Sequence, residues 1–374
     1  MTADRTPLAD LADFDEIIDV RSPAEFAEDH IPGAINCPVL DDAQRIEVGT
    51  LYKQASPFEA KKIGAALVSE NIGRHLRERF LGKARDWKPL IYCWRGGNRS
   101  GSMTTVFRAI GWKASQLEGG YKTWRSHVVA QLEHLPPSFD FRVICGATGS
   151  AKTRILQAIG TLGEQVLDLE TLASHKGSVL GVLPGQPQPG QKWFETLLLQ
   201  ELERFDPERP VYVEAESRKI GRLHVPEALI ARIRAGECLS VDASLAARVA
   251  FLLTDYDYFL TMPAFLSERL AVLKNLISRE TMARWQEMIA AGEWPALVRE
   301  LLEQHYDPLY QRSQDRNFTG YSALKVKGPV AQGLVMAQVP LGCNPDTFPT
   351  DDLSATGIAG LAARIVHSRT AQTA

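Results

Sequence analysis

The chain has 374 residues, more than one ordinary core holds, so two domains are expected. Hydrophobic residues make up 45% and charged residues 23%, the balance of a soluble globular protein, and no apolar run is long enough to span a membrane. A net charge of −3 excludes a globally basic nucleic-acid binder and leaves any RNA contact to a local basic surface. Met1 to Asp15 are polar and acidic with no apolar h-region, so no signal peptide is expected. Cys37, Cys93, Cys145, Cys238 and Cys343 are odd in number and widely spread. That argues against a disulfide framework or zinc spacing and for a reducing cytoplasm.

Ile17-Ile-Asp-Val-Arg21 reads as a strand, followed by a helix that Ser22 caps and Pro23 opens. His30-Ile-Pro-Gly-Ala-Ile-Asn36 reads as a turn into another short strand. Arg74, Arg77, Arg79, Lys83 and Arg85 form a basic run. Leu90-Ile-Tyr-Cys93 is strand-like and opens into the loop Cys93, Trp94, Arg95, Gly96, Gly97, Asn98, Arg99, after which Ser102 to Ile110 has helical spacing. Glu118-Gly-Gly-Tyr-Lys-Thr-Trp124 reads as a turn that begins a last helix. Alternating strands and helices imply a mostly parallel sheet.

The loop gives Cys93 an activating setting. Only a thiolate is a good nucleophile, and a free thiol with a pKa of about 8.5 supplies little of it at neutral pH. A tight strand-to-helix turn aims backbone N–H groups at the sulfur, the helix N-terminus adds positive potential, and Arg95 and Arg99 add two cations. The Arg99 guanidinium has the shape to fork onto an oxyanion. Together with Asp19-Val-Arg-Ser-Pro-Ala-Glu25-Phe26, His30-Ile-Pro-Gly-Ala34 and Glu118-Gly-Gly-Tyr121, this loop resembles the rhodanese superfamily. The commonest sulfurtransferase loop has four residues between cysteine and arginine, whereas this one has five. The longer ring suits a larger tetrahedral anion, so a dual-specificity-type phosphatase and a phosphorus-containing chalcogen donor are both open.

Residues 1–134 are thus expected to form a rhodanese-like domain and 135–140 a linker around Leu135-Pro-Pro-Ser138. Residues 141–320 are expected to form a P-loop NTPase-like α/β domain with a helical part, and 321–374 a C-terminal extension. Phe141-Arg-Val-Ile-Cys145 is a strand, and Gly146-Ala-Thr148-Gly149-Ser150-Ala-Lys152-Thr153 nearly matches a phosphate loop. In that motif backbone amides hold phosphate, the lysine neutralises charge and the hydroxyl ligates Mg²⁺. Ala151 replaces the usual last glycine, which a β-carbon permits only if φ is negative there. Val211-Tyr-Val-Glu214 is a strand, and continued extension would put Glu214, Glu216 and Arg218 on one face. Thr153 and Glu214 are therefore the candidate Mg²⁺ ligands. Asp168, Glu170 and His175 are candidates for the same crevice. Gly181 to Gly190 reads as a loop, Pro263 to Glu303 as helical, and the tail beyond Gly342 as loop apart from a helix near Ile358 to His367. Gln188-Pro-Gly-Gln-Lys192-Trp-Phe-Glu195 and His305-Tyr-Asp-Pro-Leu-Tyr310 are distinctive strings that carry no derived role.

The two halves in this order, with Cys93-Trp-Arg-Gly-Gly, Asp168-Leu-Glu170, His175-Lys-Gly-Ser178 and Glu214-Ala-Glu-Ser-Arg-Lys-Ile-Gly221, resemble the tRNA 2-selenouridine synthase family over roughly Phe14 to Tyr310. The resemblance implies a transferase that replaces the 2-thio sulfur of wobble 2-thiouridine with selenium. It implies S-geranylation by geranyl diphosphate, then selenation by selenophosphate, with no tightly bound cofactor. Gly146, Thr148, Gly149, Ser150, Lys152 and Thr153 would hold the diphosphate, and the Cys93 loop the selenophosphate. Lys219 and Arg222, beside Arg218, would meet tRNA, and an enzyme that makes selenophosphate is an expected partner. The competing readings are a sulfurtransferase or phosphatase fused to a nucleotide-binding module, and a non-catalytic anion-sensing adaptor.

Overall fold

A computed structural model describes residues 5–309 and 346–370. Tyr310 and Cys343 lie outside the described residues. The chain divides into two compact units, one taking in the chain up to Gln131 together with Gly190–Leu199, the other Leu132–Pro189 and everything from Gln200 on. Among the described residues no helix is long and apolar enough to cross a membrane.

The first unit is a five-stranded parallel sheet of β1 (Arg5–Thr6), β2 (Glu16–Asp19), β3 (Ile35–Asn36), β4 (Pro89–Tyr92) and β5 (Ser115–Leu117), in the order β1-β5-β4-β2-β3. β4 is central and buried along its whole length, as a parallel strand covered on both faces must be. One core packs Ile18, Val20, Ile91 and Cys93 against Met103 and Phe107 of helix Asn98–Ile110. Ser22 stands at the N-cap as expected, and its N–H donates to the Glu25 carboxylate at 3.2 Å.

Gly190–Leu199 packs in this unit through a buried carboxylate. Asp29, fully buried, accepts from the Tyr121 hydroxyl at 2.7 Å and the Thr196 hydroxyl at 2.8 Å. Arg125 pairs with Glu195, Lys192 with Glu28 at 2.7 Å, and the Trp193 ring stacks on His30 at 4.2 Å. These contacts give the Gln188-to-Glu195 string a structural part.

The second unit is also a five-stranded parallel sheet, of β6 (Phe141–Gly146), β7 (Gln165–Leu167), β8 (Val211–Glu214), β11 (Glu237–Ala243) and β12 (Asp346–Thr350), in the order β12-β11-β6-β8-β7. A small hairpin of β9 (Lys219–Ile220) and β10 (Leu223–His224) follows β8. Helix Lys152–Thr161 lays Ile155, Leu156 and Ile159 on the sheet, where Leu361 and Ile365 of helix Ala355–Thr370 join the same core. The tail therefore supplies an edge strand as well as the helix expected there. Asp-Thr-Phe-Pro-Thr does not read as a strand because only Phe348 is buried, and Pro349 is admissible at an edge. Pro263 to Glu303 is largely helical as expected, and a core around Phe259, Leu266, Leu270, Trp285 and Leu297 holds this region together.

One cysteine expectation is corrected. Cys145 on β6 and Cys238 on β11 are joined in a disulfide. The parallel register sets Cys238 beside Val143 and Ser240 beside Cys145, which brings the two sulfurs together across a separation of 93 residues. Sequence spacing carries no trace of a pairing made by strand neighbours. Cys37 and Cys93 are free and buried.

Candidate active sites

In the first unit, β4 delivers Cys93 to the mouth of the loop, with only 3% of its surface exposed. Its sulfur accepts from the Gly97 N–H at 3.2 Å and from the Ser100 hydroxyl at 3.1 Å. Gln116 on β5 donates to the Ser100 oxygen at 2.7 Å and to the Gly97 carbonyl at 3.0 Å, and that carbonyl, 3.3 Å from the Ser100 hydroxyl, is a second acceptor for its proton beside the sulfur. Gly96 has φ +63°, and a β-carbon there would lie 2.7 Å from the Leu117 carbonyl. Gly97 precedes helix Asn98–Ile110, so the helix N-terminus lies at the thiol as the sequence implies.

The neighbouring cations behave differently from one another. Arg95 is exposed, as are Trp94, Gly97 and Asn98. Arg99 forks onto the Glu25 carboxylate at 2.6 and 3.2 Å. Burial alone would raise the Glu25 carboxyl, but the hydrogen bond and charge of Arg99 hold it below its ordinary value. Ser100, Gln116 and Glu25 are site residues that loop-reading missed. Ser100 is adjacent to the motif, but nothing in sequence distance ties Gln116 or Glu25 to it. Of the basic run, Arg74, Arg77, Arg79 and Arg85 are exposed, whereas Lys83 pairs with Glu16 at 2.6 Å.

In the second unit, β6 leads into the phosphate loop and out through helix Lys152–Thr161. Lys152 Nζ lies 3.0 Å from the Gly146 carbonyl. The Thr153 hydroxyl bridges Glu170 at 2.8 Å and Glu214 at 3.1 Å. The Thr148 carbonyl accepts from Arg248 at 2.8 Å, and Arg248 forks onto Asp307 at 3.1 and 2.5 Å. Gly149 has φ +83°, and Ser150 is buried within the loop. The expectation of a negative φ at Ala151 is corrected: φ is +59° and ψ +28°, the left-handed region. The chain must turn there to enter the helix, and the buried methyl packs in the core with Ile144 and Ile155, which offsets the strain.

Carboxylate oxygens of Glu170, Glu214 and Glu216 lie within 4.8 Å of one another. Glu214 and Glu216 do meet, but not through the continued extension that the sequence predicts. β8 ends at Glu214, and the chain turns so that the Glu216 N–H donates to the Glu214 carbonyl at 2.8 Å. Arg218 is thereby carried away from the cluster and pairs with Glu227 at 2.9 Å, both exposed. Lys219 is exposed, and Arg222 donates to the Gln188 and Pro189 carbonyls. Burial and the Glu216 charge push Glu170 up to about 8. Burial and its carboxylate neighbours also push Glu214 up, and burial raises Glu216 against the pull of Lys152. Gly177 has φ +58°, and a β-carbon there would strike Glu170 and Glu216.

Asp168 caps the helix Leu169–Ala173, accepting from the Thr171 N–H at 2.8 Å, and stands outside the carboxylate group. His175 is buried on the crevice wall, and burial, with Arg269, lowers its basicity. Lys176 follows His175 in the chain. It reaches Asp255 at 2.6 Å, lies 4.1 Å over the Tyr256 ring and also lines the crevice.

The folds and loops define a rhodanese-like unit and a P-loop unit in one chain. Residues 5–127 match the rhodanese-like domain and residues 139–267 the tRNA 2-selenouridine synthase AAA domain. The tRNA 2-selenouridine synthase of Nitrosomonas europaea is 36% identical over 258 residues, 68% of this chain and 66% of that one. Its counterpart from Bdellovibrio bacteriovorus is 34% identical over 252 residues, 64% of each chain. These stretches fall just under two thirds of those relatives' length. The synthase of Hydrogenovibrio crunogenus is 31% identical over 331 residues, 79% of this chain and 88% of that one. This chain belongs to the tRNA 2-selenouridine synthase family.

Proposed function

We propose that the chain is a transferase that exchanges the 2-thio sulfur of a wobble 2-thiouridine in tRNA for selenium, in two steps. In the first, the sulfur attacks C1 of geranyl diphosphate, the C–O bond breaks, diphosphate leaves and the N3 proton is released. In the second, selenium of selenophosphate adds at C2 and geranyl thiol leaves. Water then cleaves the Se–P bond to give phosphate and 2-selenouridine. Alkylation is the step that makes the sulfur able to depart.

The observation that carries this reading is the phosphate loop with Lys152 at its floor and Thr153 tied to buried carboxylates. Loop amides and Lys152 would bind the diphosphate and stabilise its departing charge. Glu214 Oε1 is buried without a hydrogen-bond partner among the described residues, and clustered oxygens of raised pKa suit a hard cation. Thr153 and Glu214 would hold Mg²⁺, which when bound would neutralise charge on the diphosphate. The Cys93 loop, with Gly97 and Ser100 on sulfur, would bind selenophosphate or carry selenium. Exposed Arg74, Arg77, Arg79 and Arg85, with Lys219, offer phosphate contacts for tRNA. An enzyme that makes selenophosphate would supply the donor.

The test incubates the protein with thiouridine-containing tRNA, geranyl diphosphate and selenophosphate, then reads the digested nucleosides by mass spectrometry. Lys152→Ala should block geranylation, and Cys93→Ala should still geranylate but add no selenium. Identical behaviour of the two variants would refute the division of roles.

A further inference from the structure

Beside the phosphate crevice, within the second unit, lies a second cavity of opposite character. Leu180, Phe259, Leu266, Trp294, Leu297 and Leu301 line its far part, and its surface is almost wholly apolar. Thr148, Ser178, Leu252, Tyr256 and Tyr306 line both cavities, so the slot opens off the phosphate loop itself. Tyr256 and Tyr306 stand at this neck in the wall of both cavities, where their rings supply apolar surface.

A diphosphate cradle that opens into an apolar slot calls for a ligand with an anionic head and a hydrocarbon tail. We infer that the slot is the prenyl-chain subsite and that its apolar far part, at Trp294 and Val298, sets the chain length the enzyme accepts. The inference rests on the geranyl diphosphate reading above. The slot volume of about 70 Å³ corresponds to about five to seven waters at ~10–15 Å³ each, room for about one five-carbon unit. With the head on the loop, the first isoprene unit of a ten-carbon chain occupies the neck and the second fills the slot. A fifteen-carbon chain has one unit too many. Trp294, half-buried and the largest side chain of the far part, is the residue whose truncation lengthens the slot. Val298, also half-buried there, is the one whose enlargement fills it.

Calorimetric titration of the full chain with pyrophosphate and with dimethylallyl, geranyl and farnesyl diphosphates tests this. Affinity should rise about 10- to 100-fold from dimethylallyl to geranyl diphosphate, the range one buried apolar group commands, and not rise again for farnesyl. Trp294→Ala should make farnesyl diphosphate the tighter ligand. Val298→Trp should bind geranyl diphosphate no better than pyrophosphate, its pyrophosphate affinity serving as the check on folding. If pyrophosphate binds and Lys152→Ala abolishes it, but chain length makes no difference to the unmodified protein, the subsite is wrong and the diphosphate reading survives. If pyrophosphate fails to bind and Lys152→Ala changes nothing, the underlying reading fails too.

Discussion

The Thr153 hydroxyl lies 3.1 Å from the Glu214 carboxylate and so ties the end of the phosphate loop to the end of the neighbouring strand. Glu170 accepts from the same hydroxyl, so a small neutral group stands among carboxylates that repel one another when ionised.

That crowding predicts a pH-dependent stability. Glu170 titrates at about 8 in the folded chain against an ordinary 4.5. Between those values the folded state binds more protons than the unfolded state, so stability of the metal-free protein falls as pH rises through the interval. Thermal unfolding should therefore show a lower Tm at about pH 8.5 than at about pH 6. Mg²⁺ should raise Tm more at the higher pH, by about 2–4 °C for each kcal/mol it contributes. Glu214→Gln should flatten the slope and weaken the Mg²⁺ response. A Tm that climbs steadily over this range without metal would contradict the account.

The Ser100 hydroxyl donates to the Cys93 sulfur at 3.1 Å. A hydrogen bond to a charged acceptor contributes ~1.5 kcal/mol or more, so Ser100→Ala should slow iodoacetamide alkylation of Cys93 about tenfold. Gln116→Ala, which loosens the Ser100 hydroxyl without removing it, should give a smaller loss. Equal rates for all three proteins would show that the serine does nothing for the thiolate.

Local chemistry made much of this legible. The Ser22 cap, the glycines of both loops and the alternation of apolar runs are short-range signals, and they marked the parallel sheets and the two anion loops. What escaped depends on tertiary neighbours. Gln116 meets the thiol because β5 lies beside β4, and Cys145 meets Cys238 because β11 lies beside β6. Strand periodicity carried Arg218 onto the carboxylate face, but the chain turns after Glu214, and the residue is lost to Glu227. Ala151 was misread in sign, since a φ rule for residues with a β-carbon does not know that a methyl is wanted in the core behind the loop.

That residue supplies a graded test. A left-handed alanine is strained by roughly 1–2 kcal/mol. Ala151→Gly relieves this strain but loses ~0.8 kcal/mol of buried methyl. It also gives back ~0.4–1 kcal/mol by freeing the unfolded chain. The net change in a urea titration should be within about 0.8 kcal/mol of zero. A β-branched residue fits this backbone poorly and also overfills the core, so Ala151→Val should cost about 2 kcal/mol or more.

Arg248 anchors the phosphate loop from outside, donating to the Thr148 carbonyl while Asp307 holds its guanidinium. Its side chain is only 8% exposed, so a lost partner leaves a charge in poor solvent. Asp307→Asn should destabilise the protein by about 3 kcal/mol in denaturant titration. It should also weaken pyrophosphate binding as the loop loosens. The double substitution Arg248→Met with Asp307→Leu removes both charges and should recover most of the stability, because buried ion pairs contribute little beyond an apolar replacement. It should not recover the affinity, since the Thr148 carbonyl still lacks its donor. If stability and pyrophosphate affinity return together, Arg248 serves the core alone and has no hold on the loop.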